Sequence, residues 1–339
     1  MTDLARAKAA VRAMHADLAA VDGPGRAADA LAPHVAPDWL WRGVHPFHER
    51  RGAEAVAAAF WAPLMESLAP LQRREDIFLA GRNETDGFAS VWVVSMGHLL
   101  GLFDRPWLGI RPTGRIAMLR YAEFDRVEDG RVVESAMFCD IPHLMIQAGQ
   151  NPFPPQTGAH LVQPGPMTHD GILHAEGDPK EGERTLALMN RMLQGSGRDY
   201  HNPDEARLLA EHWHEDMVWW GPGGVGAAYS IEGYRRRHTR PFDDAFAEGD
   251  EGGRPDLCRV AEGAYGALMG FGNMRLRSAG GWLGMTAAAE AVDLRVVDIY
   301  RRDGDRLAEN WIFIDILDYL ARQGLDVLAR GAEVGPGLT

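Results

Sequence analysis

The sequence predicts an α+β protein made of two copies of one fold. Three observations carry this reading. The chain matches itself at a fixed offset. Each half reads as helices followed by hairpin-linked strands. A proline- and glycine-rich segment separates the halves. At an offset of 178 positions, His34, Asp38, Trp41, Gly43, Glu54 and Pro63 fall on His212, Asp216, Trp219, Gly221, Glu232 and Pro241. Near the end of each half the offset becomes 175. Trp107-Leu108-Gly109 then falls on Trp282-Leu283-Gly284, and Phe138, Asp140 and Ile141 fall on Phe313, Asp315 and Ile316. This period is far longer than the roughly 20–50 residues of a solenoid repeat, so the repeating object is a whole small domain.

The elements follow in order. Residues 3–20 predict an amphipathic helix, since Leu4, Val11, Met14 and Leu18 recur at helical spacing and Asp22-Gly23-Pro24-Gly25 stops the run. A short helix is expected over 27–35, a strand from Asp38 to Trp41, and an alanine-rich helix over 52–68. Strands follow near 76–80, 88–98, 115–127 and 131–140, then a short helix over 142–148. The second half repeats this order. Helices are expected at 182–194 and 203–214, a strand at 216–220 and a helix at 231–246. Strands then follow near 257–262, 264–276, 288–301 and 306–315, with a closing helix over 316–329. Residues 149–180 contain Asn151-Pro152-Phe153-Pro154-Pro155 and Gln163-Pro164-Gly165-Pro166, which break regular structure. The domain reading is therefore 1–148, a linker over 149–180, a second domain over 181–330 and a loose tail over 331–339.

Bulk composition narrows the function. The chain has 339 residues, 46% hydrophobic and 24% charged, which is ordinary for a folded globular protein. A net charge of −13 argues against nucleic acid and anionic membranes as partners. The two cysteines, Cys139 and Cys258, do not align between the halves, which fits a reducing cytoplasm and no disulfide framework. No apolar run approaches 18 residues, and no nucleotide-binding loop, zinc spacing or nucleophile elbow is present. His212 and His214 lie two apart, a poor spacing for a metal pair on a helix.

Chemistry is expected where the last strand of each half ends on an aspartate. Alternation puts Glu309, Trp311, Phe313 and Asp315 on one strand face, and Glu134, Ala136, Phe138 and Asp140 on the matching face. A carboxylate among aromatic groups suits acid/base work. Both aspartates also directly precede a helix, where Asp is a preferred N-cap. Both readings stay open at this point.

The segment Arg306 to Gly324 resembles the closing strand and helix of SnoaL-like polyketide cyclases, in the nuclear transport factor 2-like superfamily. Arg131 to Asp140, ending at Gln147-Ala148-Gly149, is a weaker copy, and Trp219-Trp220-Gly221-Pro222 fits the same pattern. The resemblance implies cone-shaped domains, each a curved antiparallel sheet wrapped around about three helices, here arranged as a pseudo-two-fold dimer within one chain. Intramolecular pairing would leave the protein a monomer or weak homodimer. It further implies cofactor- and metal-free acid/base chemistry of polyketide cyclase or isomerase type on a small apolar or aromatic carbonyl compound, with Asp140 and Asp315 as acid/base. Donor and pocket candidates are His45, His48 and His98 in the first half, Asn273 and Trp220 in the second, and Trp41, Trp219 and Trp311. Arg120 and Arg295 align in the same strand. Beside an aspartate in a pocket they would instead suit epoxide hydrolysis. A non-catalytic binding protein is the other alternative.

Overall fold

The computed structural model describes residues 2–194, 201–246 and 252–334. The chain divides into two compact units. One comprises Met1–Pro152, Met167–Glu176 and Asp326–Thr339, the other Phe153–Pro166 and Gly177–Leu325.

The first unit opens with helices α1 (Asp3–Ala19) and α2 (Ala27–Leu31), followed by strands β1 (Val35–Gly43) and β2 (Glu49–Arg51). Helices α3 (Ala53–Val56) and α4 (Ala62–Ser67) come next, joined by a π-helical turn at Ala57–Trp61. Strands β3 (Leu68–Arg82), β4 (Val91–Phe103), β5 (Ile116–Glu128) and β6 (Arg131–Cys139) lead to α5 (Ile141–Gln147). The sheet order is β2-β1-β6-β5-β4-β3. α1 buries Val11, Met14 and Leu18 and packs on the strands through β3, β4 and β5, which is the stripe that its sequence spacing predicts.

The second unit repeats the plan. Helices α6 (Pro179–Gln194) and α7 (Glu205–Ala210) precede β7 (Trp213–Trp220) and β8 (Ala228–Tyr229). α8 (Ile231–Tyr234), a second π-helical turn at Arg235–Thr239 and α9 (Arg240–Ala245) follow. Strands β9 (Cys258–Glu262), β10 (Tyr265–Leu276), β11 (Val292–Asp303) and β12 (Arg306–Ile314) precede α10 (Ile316–Arg322) and α11 (Val327–Glu333). The order β8-β7-β12-β11-β10-β9 matches the first sheet strand for strand. The protein is therefore α+β with two six-stranded sheets, each carrying its own helices. The π turns also coincide, 178 positions apart.

Several expectations are revised. The sheets are mixed rather than wholly antiparallel, because β1 runs parallel to β6 and β7 parallel to β12. A parallel pair needs a long crossover, and here the helices and the intervening strands supply it. The proline-rich stretch is shared between the units. Ala159 and Ala227 exchange backbone hydrogen bonds at 2.8 and 2.9 Å within the second unit. Gly171 and Leu173 bracket Phe78 at 2.9 and 2.8 Å within the first. The expected closing helix splits at Gly324. That residue takes a left-handed φ of +86°, and the Leu325 amide returns to the Leu320 carbonyl at 2.9 Å. This is the Schellman ending that glycine permits. Asp326 then caps α11, which packs in the first unit, with Gln150 donating to the Gly331 carbonyl at 3.0 Å. Of the expected loose tail, 335–339 lies outside the described residues.

Candidate functional site

Both strand-end aspartates are helix caps. Asp140 accepts from the His143 amide at 3.1 Å, and Asp315 from the Asp318 amide at 3.2 Å. Each also faces the predicted arginine. Arg120 lies 3.6 Å from Asp140, and Arg295 lies 3.0 Å from Asp315 and 3.3 Å from Asp318. Burial pushes the Arg120 guanidinium down to about 10, against the opposing pull of Asp140. His98 stands directly across from Arg120 on the neighbouring strand, and its Nδ1 lies 3.2 Å from Asp76. The structure thus joins Asp140, Arg120 and His98 on one sheet face, and Asp315 and Arg295 on the corresponding face of the second sheet.

The opposite face of the second sheet lines a cavity of about 500 Å³. Strand alternation explains the division. Trp311 and Phe313 share a face with Asp315, whereas Ile312 and Ile314 point the other way and line the cavity. Neither Asp315 nor Arg295 is among the lining residues. The apolar walls come from Leu268, Leu276, Leu294 and Val296 with Phe242 and Phe246, and Asp243, Asp256 and Asp298 place three carboxylates in the lining. Of the three, Asp298 is the buried one, 8% exposed, and accepts from Asn310 Nδ2 at 3.0 Å. Asn273, a predicted donor, also lines the cavity. It sits at a β-bulge, where its Nδ2 donates to Asp256 at 3.0 Å and its Oδ1 accepts from the Val296 amide at 3.0 Å. Tyr234, His238 and Thr239 face the cavity from the helical side.

The equivalent face of the first sheet carries a charged network. His15 on α1 bridges Glu75 at 3.0 Å and Glu123 at 3.1 Å, and Arg73 donates to Glu123 at 2.7 Å. Burial and Arg73 push His15 down, but the hydrogen bonds to Glu123 and Glu75 outweigh them and hold its pKa up. Burial and the neighbouring Glu123 raise Asp125 to about 7. One Asp125 oxygen accepts from Ser135 at 2.5 Å, while the other is buried without a hydrogen-bond partner. Trp39 donates to the same Ser135 at 2.9 Å. Ligand atoms of His15, Glu123 and Asp125 lie within 4.8 Å of one another, a spacing that a metal ion can use. Arg73 already offers Glu123 a compensating positive charge.

The other candidates are dispersed. His45 and His48 meet edge to face at 5.3 Å in the β1–β2 turn. Trp41 is buried against Phe60 at 5.5 Å, and Trp219 stacks on His238 at 4.0 Å. Trp311 donates to the Pro164 carbonyl at 3.0 Å, and Trp220 is half-buried at the end of β7. His214 meets the Asp303 carbonyl at 2.9 Å.

Residues 9–135 match the SnoaL-like domain family. The first unit contains a SnoaL-like domain. Solved structures similar to the chain include a candidate SnoaL-like polyketide cyclase from Jannaschia sp. CCS1. It is 22% identical, with coverage of 43% of this chain and 93% of that one at a TM-score of 0.35. AclR, a candidate hydroxylase from Streptomyces galilaeus, is 20% identical, with 45% and 87% covered at a TM-score of 0.36. IdmH, a candidate polyketide cyclase from Streptomyces antibioticus, is 20% identical, with 40% and 96% covered at a TM-score of 0.33. No curated protein matches the chain.

The second unit repeats the strand order of the SnoaL-like domain but not its interior. At the repeat offsets, His15, Phe60, Trp61, Tyr121 and Glu123 of the SnoaL-like domain become Leu193, His238, Thr239, Val296 and Asp298. Four of these swaps change the bulk or polarity of the group facing the helices, and Trp61 to Thr239 and Tyr121 to Val296 remove most of a ring. The sequence reading missed Asp298, Asn310 and His238. The signal was available: Asp298 and Glu123 are carboxylates inside apolar strand runs, 175 positions apart, where a solvated charge is not expected.

Proposed function

We propose that the second domain binds a small, mostly apolar carbonyl compound in its cavity and performs acid/base chemistry of the cyclase or isomerase type on it, with Asp298 as the proton-transferring group. The observation that carries this is a buried carboxylate, held by Asn310, in a cavity of about 500 Å³ whose lining mixes aliphatic and aromatic walls with polar groups. That size and composition suit a small organic ligand. Enolisation beside a carbonyl needs one base held close to the carbon acid and a donor for the developing enolate oxygen. Asp298 would take the α-proton. The Tyr234 hydroxyl and the His238 imidazole, which line the same cavity, would support the oxygen. The proton then returns to another carbon in an isomerisation, or to the new alkoxide after ring closure, so the step balances without a redox partner.

The Asp–Arg pairs that epoxide opening would use gain no support from this geometry, since neither Asp315 nor Arg295 lines the cavity. The test is α-proton exchange. Tetralone in deuterated buffer should lose its α-protons faster with the protein than without it, and Asp298→Asn should remove that acceleration by roughly 10²–10⁴-fold while binding persists. Equal exchange with both proteins would refute the acid/base role. Binding with no exchange in either would leave a ligand-binding domain.

A further inference from the structure

We infer that the ligand site of the second domain has two compartments, and that it takes an elongated ligand with a carbonyl-bearing head and an apolar tail. This rests on the reading of the large cavity given above. A second cavity of about 250 Å³ lies beside the first within the same unit. Helix α9 stands between them. Its Pro241, Asp244 and Ala245 line the small cavity, while Phe242 and Asp243 line the large one. His238 lines both.

Side chains of the two cavities meet across this partition. Trp282, in the small cavity, meets Phe246, in the large one, edge to face with centroids 5.4 Å apart. On the other side the partition is the His238 ring itself, whose flat face stacks on Trp219 at 4.0 Å and an interplanar angle of 22°. His238 comes from the π-helical turn at Arg235–Thr239. Such a turn holds one residue more than an α-helical turn and often marks a functional position. At the same place in the first repeat the π turn presents Phe60, which is fully buried among Trp41, Phe47, Trp61 and Trp107. The two compartments differ in chemistry. The large one holds Asp298, Asn273 and Asp256 and is about evenly polar and apolar, whereas the small one carries Arg237 and Asp244 but is walled chiefly by Pro154, Pro155, Val225, Trp282 and Leu283. A polar reacting head therefore belongs in the large compartment and a hydrocarbon tail in the small one.

The experiment is calorimetric titration of the full chain with tetralone and with tetralones bearing alkyl chains of increasing length. Each added methylene that enters the small compartment should tighten binding roughly fourfold, until the compartment is full. Thr157→Trp places a large ring at the exposed rim of the small cavity, away from the core. It should abolish the gain from the tail and leave tetralone itself unaffected. His238→Ala removes the partition and should extend the gain to longer chains. Tetralone binding with no gain from any tail would overturn the two-compartment site alone, as would a tail gain that survives Thr157→Trp unchanged. Failure of every tetralone to bind would overturn the reading of the large cavity, and the compartments with it.

Discussion

Filling the cavity with the residues of the first repeat should abolish ligand binding without unfolding the protein. Thr239 and Val296 line the cavity and occupy the places that Trp61 and Tyr121 hold in the SnoaL-like domain, where both rings are at most 2% exposed. Thr239→Trp introduces a ring that normally buries about 150–250 Å², worth roughly 4–6 kcal/mol at ~25 cal/mol per Å² if it is fully enclosed. Loss of the threonine contacts and the freezing of one side chain reduce that gain, and overpacking of the walls costs about 1–3 kcal/mol. The expected outcome is a melting temperature equal to or above that of the parent. Tetralone affinity should fall at least a hundredfold, because the ring and the ligand compete for one volume. The assays are thermal denaturation followed by circular dichroism and titration calorimetry on the same samples. Val296→Tyr approaches the cavity from the sheet rather than the helix and should give the same pattern, so misfolding of one variant leaves the other decisive. A folded variant that binds tetralone as well as the parent would refute the assignment of the cavity as the ligand site.

Three further outcomes follow from the geometry. Asp315→Ala removes a helix cap and one of the two carboxylates that face Arg295, Asp318 remaining, so it should cost about 1–2 kcal/mol in denaturant titration; Asp315→Asn keeps the cap acceptor and should cost less, with α-proton exchange unchanged in both. Asp125 is held near 7 in the folded protein against an ordinary value near 3.9, so its proton stabilises the fold below the unfolded value and that stabilisation is lost as pH rises through the folded one. Melting temperature should fall between about pH 4 and pH 7 by the equivalent of about 1.4 kcal/mol per pH unit at the steepest, and Asp125→Asn, which can still accept from Ser135, should flatten the slope. Gly324→Ala should destabilise by about 1 kcal/mol or more, since alanine is strained at a φ of +86°, as read from urea unfolding.

The repeat and the order of elements were legible because they rest on local chemistry. Gly43 and Gly221, matched at the first offset, illustrate this. A Cβ on Gly43 would come within 2.4 Å of the Trp41 ring, and one on Gly221 within 2.1 Å of Trp219, so each glycine is required by the tryptophan two positions before it. The aspartate before each closing helix was equally readable, and the cap interpretation of it describes the observed hydrogen bonds. The cavity was not legible, because it is defined by which strand face meets the helices. Asp315 and Ile314 are adjacent in sequence yet address opposite faces of the sheet, and only Ile314 of the two lines the cavity. The lining from Leu193, Thr239 and Val296 brings together segments about 50 to 100 positions apart, which no local pattern encodes.

The two interiors solve the same packing problem with opposite electrostatics. In the first repeat the volume between α1 and the sheet holds Arg73 stacked over Tyr121 at 4.7 Å and over Trp61 at 5.3 Å, with His15 between two carboxylates. Buried charges of both signs then satisfy one another, and removing any one of them strands its partner at a cost of several kcal/mol. In the second repeat Leu193 stands at the place of His15 and Val296 at that of Tyr121, and Asp298 accepts from Asn310 at the wall of the cavity. The two copies thus place different groups at matching interior positions: a buried ion-pair network in the first and a cavity beside a carboxylate in the second. Placing an Arg beside Asp298 should give that carboxylate the ion-pair partner that Arg73 gives Glu123, and a rise in melting temperature with loss of tetralone binding would show the second interior returning to a paired, filled core.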